Sequence, residues 1–181
     1  FHLCSSLTHV AFPAGLTFIG EAAFFGCSSL TRVTFPAGLT SISAAVFSGC
    51  SALARVTLPA TLTSIGDCAF DACEALSSVT FPAGLTSIRE AAFEGCSSLT
   101  NVTVPTTAEI GNAAFDPTTT VVRLSPASMC AQARAAEAAA REAEMAEAAA
   151  AADRNAEALL ADEEAEKEAE QRAKERKANK K

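Results

Sequence analysis

The chain has no tryptophan and no tyrosine, and most of its 11 phenylalanines recur at regular intervals. Proteins that stack nucleic-acid bases rely on aromatic side chains set in a basic groove. The net charge of −7 divides into −4 for residues 1–125, which hold four Arg and eight acids, and −3 for the rest. Since neither part is basic, the sequence predicts no nucleic-acid partner.

Groups for catalysis and metal binding are also scarce. The chain has two histidines, and no serine stands in a strand-to-helix elbow motif. His2, Cys4 and His9 lie close in sequence and are of the residue types that bind metals. However, His9 falls in an outward strand position and Cys4 in an inward one, so their side chains should face different ways. We therefore expect no enzymatic activity, no metal and no cofactor. No uncharged apolar run approaches the roughly 18–20 residues of a membrane helix, so we also expect no membrane insertion.

The first part of the chain repeats every 23 residues. Leucine, valine and proline follow three, six and nine residues behind each member of a cysteine series: Cys4, Cys27, Cys50, Cys73 and Cys96. A fixed period of this length is typical of a solenoid, in which each unit buries its apolar side only against its neighbours. Phe1 precedes Cys4 as Phe24 precedes Cys27, so the sequence predicts that the chain begins inside a repeat. The compartment, cell surface or cytoplasm, is left open.

One unit, from Cys27 onward, illustrates the predicted structure. Residues 30–35 are rich in β-branched and aromatic residues and stop at a proline, which indicates a short strand. Residues 36–38 turn the chain, residues 39–42 form a second extended piece, and residues 44–47 form a helical turn. Stacked about 4.8 Å apart, such rungs align five apolar columns. In the third unit these columns are represented by Leu53, Val56, Leu58, Ile65 and Phe70.

The unit also resembles a known family. The run Ile65-Gly66-x-x-Ala69-Phe70-x-x-Cys73-x-x-Leu76-x-x-Val79-x-Phe81-Pro82 is similar to the BspA-type leucine-rich repeat of bacterial and protist proteins, and the resemblance covers about residues 1–116. It implies a curved solenoid used for binding; some relatives are surface adhesins, and the family offers no catalytic residues to carry over. The predicted fold is an α/β repeat solenoid of short parallel strands and helical turns, followed by a long single α-helix.

The last copy departs from the period. One residue is missing between Pro105 and Ile110, and Ala108 replaces a leucine. Residues 119–124 still alternate like a strand, with Val122 and Leu124 expected to point inward. We interpret this segment as a degenerate sixth rung that covers the end of a solenoid domain spanning residues 1–125.

The cysteine series is interpreted as a ladder of buried thiols, because free cysteine behaves as a small hydrophobe. Zinc frameworks pair cysteines two to four residues apart, far closer than 23. A disulfide between neighbouring rungs is geometrically awkward, and five members cannot all pair. A disulfide or a metal remains the alternative.

Two columns are expected on the outer face of the strands. The threonine column is nearly constant and consists of Ala11, Thr34, Thr57, Thr80 and Thr103. The outer column varies and consists of His9, Arg32, Arg55, Ser78 and Asn101. A varied column on a solenoid is a candidate ligand-binding surface, and arginine is favoured at interfaces. The alternative is that these are solvated strand residues with no partner.

Residues 126–181 form the second predicted domain, an Ala-rich charged helix. Ser125-Pro126 suits a helix start, and neither glycine nor a further proline follows. At 1.5 Å per residue the helix would reach roughly 80 Å. Favourable i,i+4 ion pairs are expected at Glu137–Arg141, Glu163–Lys167, Glu168–Arg172 and Glu170–Lys174. Large apolar residues form no heptad, which favours a solitary helix; helix-mediated self-association is the alternative.

The sequence therefore favours a non-catalytic protein-binding module that uses the outer column, with the helix as spacer or assembly element. One alternative is a cell-surface adhesin that binds host or matrix proteins. Another is an intracellular scaffold assembled through its C-terminal helix.

Overall fold

The computed structural model describes residues 1–148, which form a solenoid of parallel strands followed by a helix. The compact unit that contains the solenoid spans Phe1–Ala131, and a second unit begins at Gln132. This architecture confirms the predicted fold class. The domain boundary at residue 125 stays a prediction.

Two parallel sheets run along the solenoid. The first sheet has the order β1-β2-β4-β6 and contains β1 (His9–Ala11), β2 (Arg32–Thr34), β4 (Arg55–Thr57) and β6 (Ser78–Thr80). The second has the order β3-β5-β7-β9 and contains β3 (Ser41–Ile42), β5 (Ser64–Ile65), β7 (Ser87–Ile88) and β9 (Glu109–Ile110). A further pair is made by β8 (Asn101–Pro105) and β10 (Thr120–Leu124). The strands are short because a proline lies two residues after each strand of the first sheet and a turn follows those of the second.

The core consists of the predicted columns. In the third unit Leu53, Ile65 and Phe70 are fully buried, and Val56 and Leu58 are nearly so. The phenylalanine rings stack along the axis at centroid separations of 5.1–5.4 Å from Phe24 to Phe115. The equivalent side chains of the first rung, such as Leu7 and Val10, are half-buried, because a rung covers them on one side.

The third side of each rung is a series of turns. Ala45 has a φ of 54°, and its N–H donates to the carbonyl of Asp67 on the next rung at 2.8 Å. The N–H of Phe47 donates to Ala69 in the same way at 2.9 Å. Left-handed residues recur at this place in every rung: Ala22, Ala45, Cys68, Ala91 and Ala113. The N–H groups of the first four donate to carbonyls of the next rung, so they join the rungs to one another.

The sixth rung is present, but one expectation about it is wrong. β10 pairs with β8 in a register that sets Val121 beside Val102, which is buried, and Val122 beside Thr103. Val122 is therefore 44% exposed, whereas we expected it to point inward. The physical reason is the register: the inward valine recurs after 19 residues instead of 23. Leu124, also expected to point inward, is half-buried.

The helix α1 occupies residues 126–148 of the described chain, and it starts where the sequence predicts. The Ser125 hydroxyl accepts a hydrogen bond from the N–H of Ser128 at 3.2 Å, which caps the first turn. Arg141 and Glu137 form the expected i,i+4 ion pair at 2.7 Å. The pairs predicted at residues 163–174, and the helix beyond residue 148, lie outside the described residues. Within residues 1–148 no helix is long and apolar enough to cross a bilayer.

Candidate functional site

The outer column occupies the first position of five strands. Register pairs His9 with Arg32, Arg32 with Arg55, and Arg55 with Ser78, so four of its members follow one another across the first sheet. All four are exposed, while the valine that follows each of them points into the core. This alternation is the direct result of the two-residue period of a strand.

Asn101 occupies the same position on β8, but β8 is hydrogen-bonded to β10 and belongs to a separate pair. Register sets Asn101 beside Thr120, which is exposed and prolongs the outer column by one rung. We did not identify Thr120 from the sequence, because the shortened last copy breaks the 23-residue spacing. The structure thus provides an outer surface whose variable positions are aligned, with the separate pair at one end.

The threonine column lies two residues further along each strand. Thr34, Thr57 and Thr80 are exposed and adjacent in register, and Thr103 is half-buried. Hydroxyl groups in this column can donate and accept hydrogen bonds. Beside the guanidinium groups of the outer column they give the sheet a polar surface.

Arg123 and the two arginines of the outer column differ in the contacts of their side chains. Arg123 donates to the carbonyls of Ala108 and Thr106 at 3.1 and 3.4 Å, so its guanidinium group is bonded to the backbone at the end of the solenoid. Arg32 and Arg55 make no ion pair among the described residues, where the pair found joins Arg141 to Glu137. Their guanidinium groups are therefore available to a partner.

The cysteine ladder belongs to the core and not to a reactive site. Cys27, Cys50, Cys73 and Cys96 are fully buried, Cys4 is exposed, and all of them are free thiols. Each buried thiol donates to a phenylalanine carbonyl 26 residues earlier, at 3.1–3.3 Å. These bonds tie each rung to its predecessor, a role that the sequence spacing did not disclose.

Cys68 lies outside the cysteine ladder, and its thiol is close to carboxylates. Burial, followed by the carboxylates of Asp71 and Asp67, raises the pKa of Cys68 above its usual value. A thiol acts as a nucleophile in its ionised form, so this environment disfavours nucleophilic chemistry. Among residues 1–148 no group of three or more His, Cys, Asp or Glu side chains is placed to hold a metal ion.

The buried thiols make stability depend on alkaline pH. Burial raises the pKa of Cys50 and Cys96 to about 12, against 9.0 for a free thiol. Between these values the folded chain keeps protons that the unfolded chain has lost, so stability falls as pH rises from 9 towards 12. Residues 1–125 contain neither tyrosine nor lysine, so their cysteines are the side chains that titrate here.

We expect the melting temperature of the solenoid to fall by at least about 3 °C between pH 8 and pH 10, measured by calorimetry. The double variant Cys50→Ala/Cys96→Ala should melt lower at pH 8, because it contains two cavities, but its melting temperature should depend less on pH. Equal pH slopes for the two chains would contradict the assignment.

Comparisons with known proteins agree with this fold. The model of the BspA type leucine rich repeat region matches six copies over residues 1–121, as the sequence resemblance predicted. No curated protein matches the chain significantly.

Solved bacterial structures also resemble the chain. A leucine-rich repeat protein from Bacteroides ovatus is 27% identical with a TM-score of 0.52, over 69% of this chain and 39% of that one. A leucine-rich repeat protein from T. pallidum is 27% identical with a TM-score of 0.57, over 68% of this chain and 62% of that one. A leucine-rich cell surface protein from Faecalibacterium prausnitzii is 31% identical with a TM-score of 0.50, over 59% and 26%. The chain therefore spans less than two thirds of the length of each.

Proposed function

Since this chain belongs to the BspA-type leucine-rich repeat family, we propose that it is a non-catalytic protein-binding module whose partner contacts the outer column. The observation that carries the proposal is the register of the first sheet, which aligns His9, Arg32, Arg55 and Ser78 as exposed neighbours. The valine that follows each of these residues is constant, so the backbone of the strand repeats while the side chain presented to a partner differs from rung to rung. The helix α1 serves as a spacer or assembly element.

A solenoid suits this role because its stacked rungs give an extended and rigid surface. Val33, Val56 and Val79, which follow three members of the outer column, are buried, and this fixes the strands that present it. Rigid presentation lowers the entropy that is lost on binding. Arginine is among the residues enriched at protein interfaces, and two of them stand side by side here.

A cell-surface adhesin is the second candidate. Its support is the likeness to the Faecalibacterium prausnitzii protein, which is described as a leucine-rich cell surface protein. An adhesin would use the same outer column, with its partner on a host cell or in a matrix. The two candidates differ in where the partner resides and not in the surface that binds it.

The proposal is tested with a phage library of random 12-residue peptides selected on the immobilised full-length chain. We expect the selected peptides to slow hydrogen exchange in β2 and β4. We also expect Arg32→Glu/Arg55→Glu to weaken their binding at least tenfold, because it reverses two charges within the outer column.

The matched control is Arg89→Glu/Arg134→Glu, which makes the same change in net charge at an exposed residue directly after β7 and on α1. It should bind the peptides as the unsubstituted chain does. Failure to select any peptide that protects the first sheet would overturn the proposal, as would equal losses in the two double variants.

A further inference from the structure

Arg32 and Arg55 form a like-charge pair that the fold does not require. Register sets them beside each other on neighbouring parallel strands, whose spacing is about 4.8 Å. Like charges at directly facing positions of a sheet destabilise it. Ser78 takes the same place one strand further on, so an uncharged side chain is compatible with this position.

Nothing near the pair in sequence offsets the repulsion. Residues 22–66, which contain both rungs, have two arginines and no aspartate or glutamate. Arg123, by contrast, is bonded to two backbone carbonyls. A charge arrangement that costs stability without a compensating contact is typical of a binding site.

The acids of the solenoid lie outside the strands that present the outer column. The acids that follow the second sheet lie in the turns of the third and fourth rungs, at Asp67, Asp71, Glu90 and Glu94. No acid occurs in the five strands that present the outer column. The surface around Arg32 and Arg55 is therefore positive although the whole chain has a net charge of −7.

From this arrangement we infer that the partner at the outer column is an acidic polypeptide segment that places two carboxylates on Arg32 and Arg55. The inference rests on the proposed function and names the partner's chemistry. Guanidinium groups bind carboxylates through paired hydrogen bonds, so arginine binds such groups selectively.

An extended peptide fits the spacing of the pair. When it runs across the strands, alternate side chains lie about 6.6–6.8 Å apart, compared with about 4.8 Å between rungs. The arginine side chains are long enough to spread apart and reach both carboxylates. The hydroxyls of Thr34 and Thr57, exposed in the neighbouring column, are placed to bond the peptide backbone.

The test uses the full chain and two synthetic probes, the peptides (Glu-Gly)6 and (Gln-Gly)6, together with the sequences selected from the 12-residue library. We expect (Glu-Gly)6 to bind at least tenfold tighter than (Gln-Gly)6. The affinity should fall with added salt, because exposed charge pairs are screened. The library peptides should be enriched in Asp and Glu.

Arg32→Ser/Arg55→Ser should weaken (Glu-Gly)6 binding at least tenfold and melt at the same temperature as the unsubstituted chain or higher. The control Arg89→Ser/Arg134→Ser should leave binding unchanged. Neutral or basic library peptides bound over β2 and β4 would overturn the acidic partner while the proposed function stands. Tighter binding of a 12-nucleotide single-stranded DNA than of (Glu-Gly)6, or a lower melting temperature of the serine variant, would also overturn it.

Discussion

Replacing Phe70 with alanine is expected to lower the free energy of unfolding by about 3–5 kcal/mol. Phe70 is fully buried in the third rung, and its ring stacks on Phe47 at 5.4 Å and on Phe93 at 5.1 Å. The substitution leaves a cavity between two rungs and removes both stacking contacts, each of which adds about 0.5–1.5 kcal/mol beyond burial. Chemical denaturation followed by circular dichroism measures the loss.

The same column provides a matched control for Phe70. Phe1 stacks on Phe24 at 5.3 Å, but 73% of its surface is exposed, so Phe1→Ala should cost less than about 1.5 kcal/mol. Similar losses for the two variants would show that depth in the column does not determine its contribution. A protein of typical stability has about 5–15 kcal/mol in all, so Phe70→Ala should remove a large fraction of the stability of the solenoid.

The 23-residue period predicted most of the core because equivalent positions of successive rungs stack on one another in a solenoid, so each apolar column repeats one residue type. Leucine, valine, isoleucine and phenylalanine columns could be assigned from spacing alone, and the central members are buried as expected. The prediction failed where the spacing changed. Val122 was placed inward by alternation, but the strand register of β10 turned Val121 inward instead.

Other features depend on backbone geometry, which spacing does not determine. The left-handed residues of the turns, such as Ala45, direct their N–H groups to the next rung. The thiol of Cys50 reaches the carbonyl of Phe24 because the turn brings that carbonyl above it. The period indicated burial correctly for four of the five cysteines; Cys4 is exposed because it lies in the first described rung. The hydrogen bonds of the buried thiols depend on the three-dimensional turn.

The candidate site was partly accessible from sequence. Periodicity placed Arg32 and Arg55 in one column, and the structure shows them as register partners. Thr120 was missed, since β10 joins β8 after a shortened connection. That the column binds a partner stays a proposal, because the alignment establishes where the side chains lie and not what contacts them.

Replacing Gly66 with alanine is expected to lower the free energy of unfolding by about 3 kcal/mol, the upper end of the range for overpacking. A Cβ atom at this position would lie 2.7 Å from the carbonyl carbon of Ser43 and 2.8 Å from the nitrogen of Ala44. Both are backbone atoms of the preceding rung, so no side chain can rotate away. The Gly66 N–H also donates to the carbonyl of Ile42 at 2.8 Å, which holds the two rungs at this close distance.

Gly84 offers the control for this substitution. A Cβ atom at Gly84 would lie 3.9 Å from the carbonyl oxygen of Ala60, an ordinary contact. Gly84→Ala should therefore be neutral or stabilise the fold by up to about 1 kcal/mol, because it restricts the unfolded chain. Ser43 and Arg89 occupy the position of Gly66 in neighbouring rungs, so this turn accepts a side chain where the adjoining backbone leaves room. If Gly66→Ala unfolds at the same denaturant concentration as Gly84→Ala, the third rung can adopt the backbone of its neighbours, and the close approach is not required for stability.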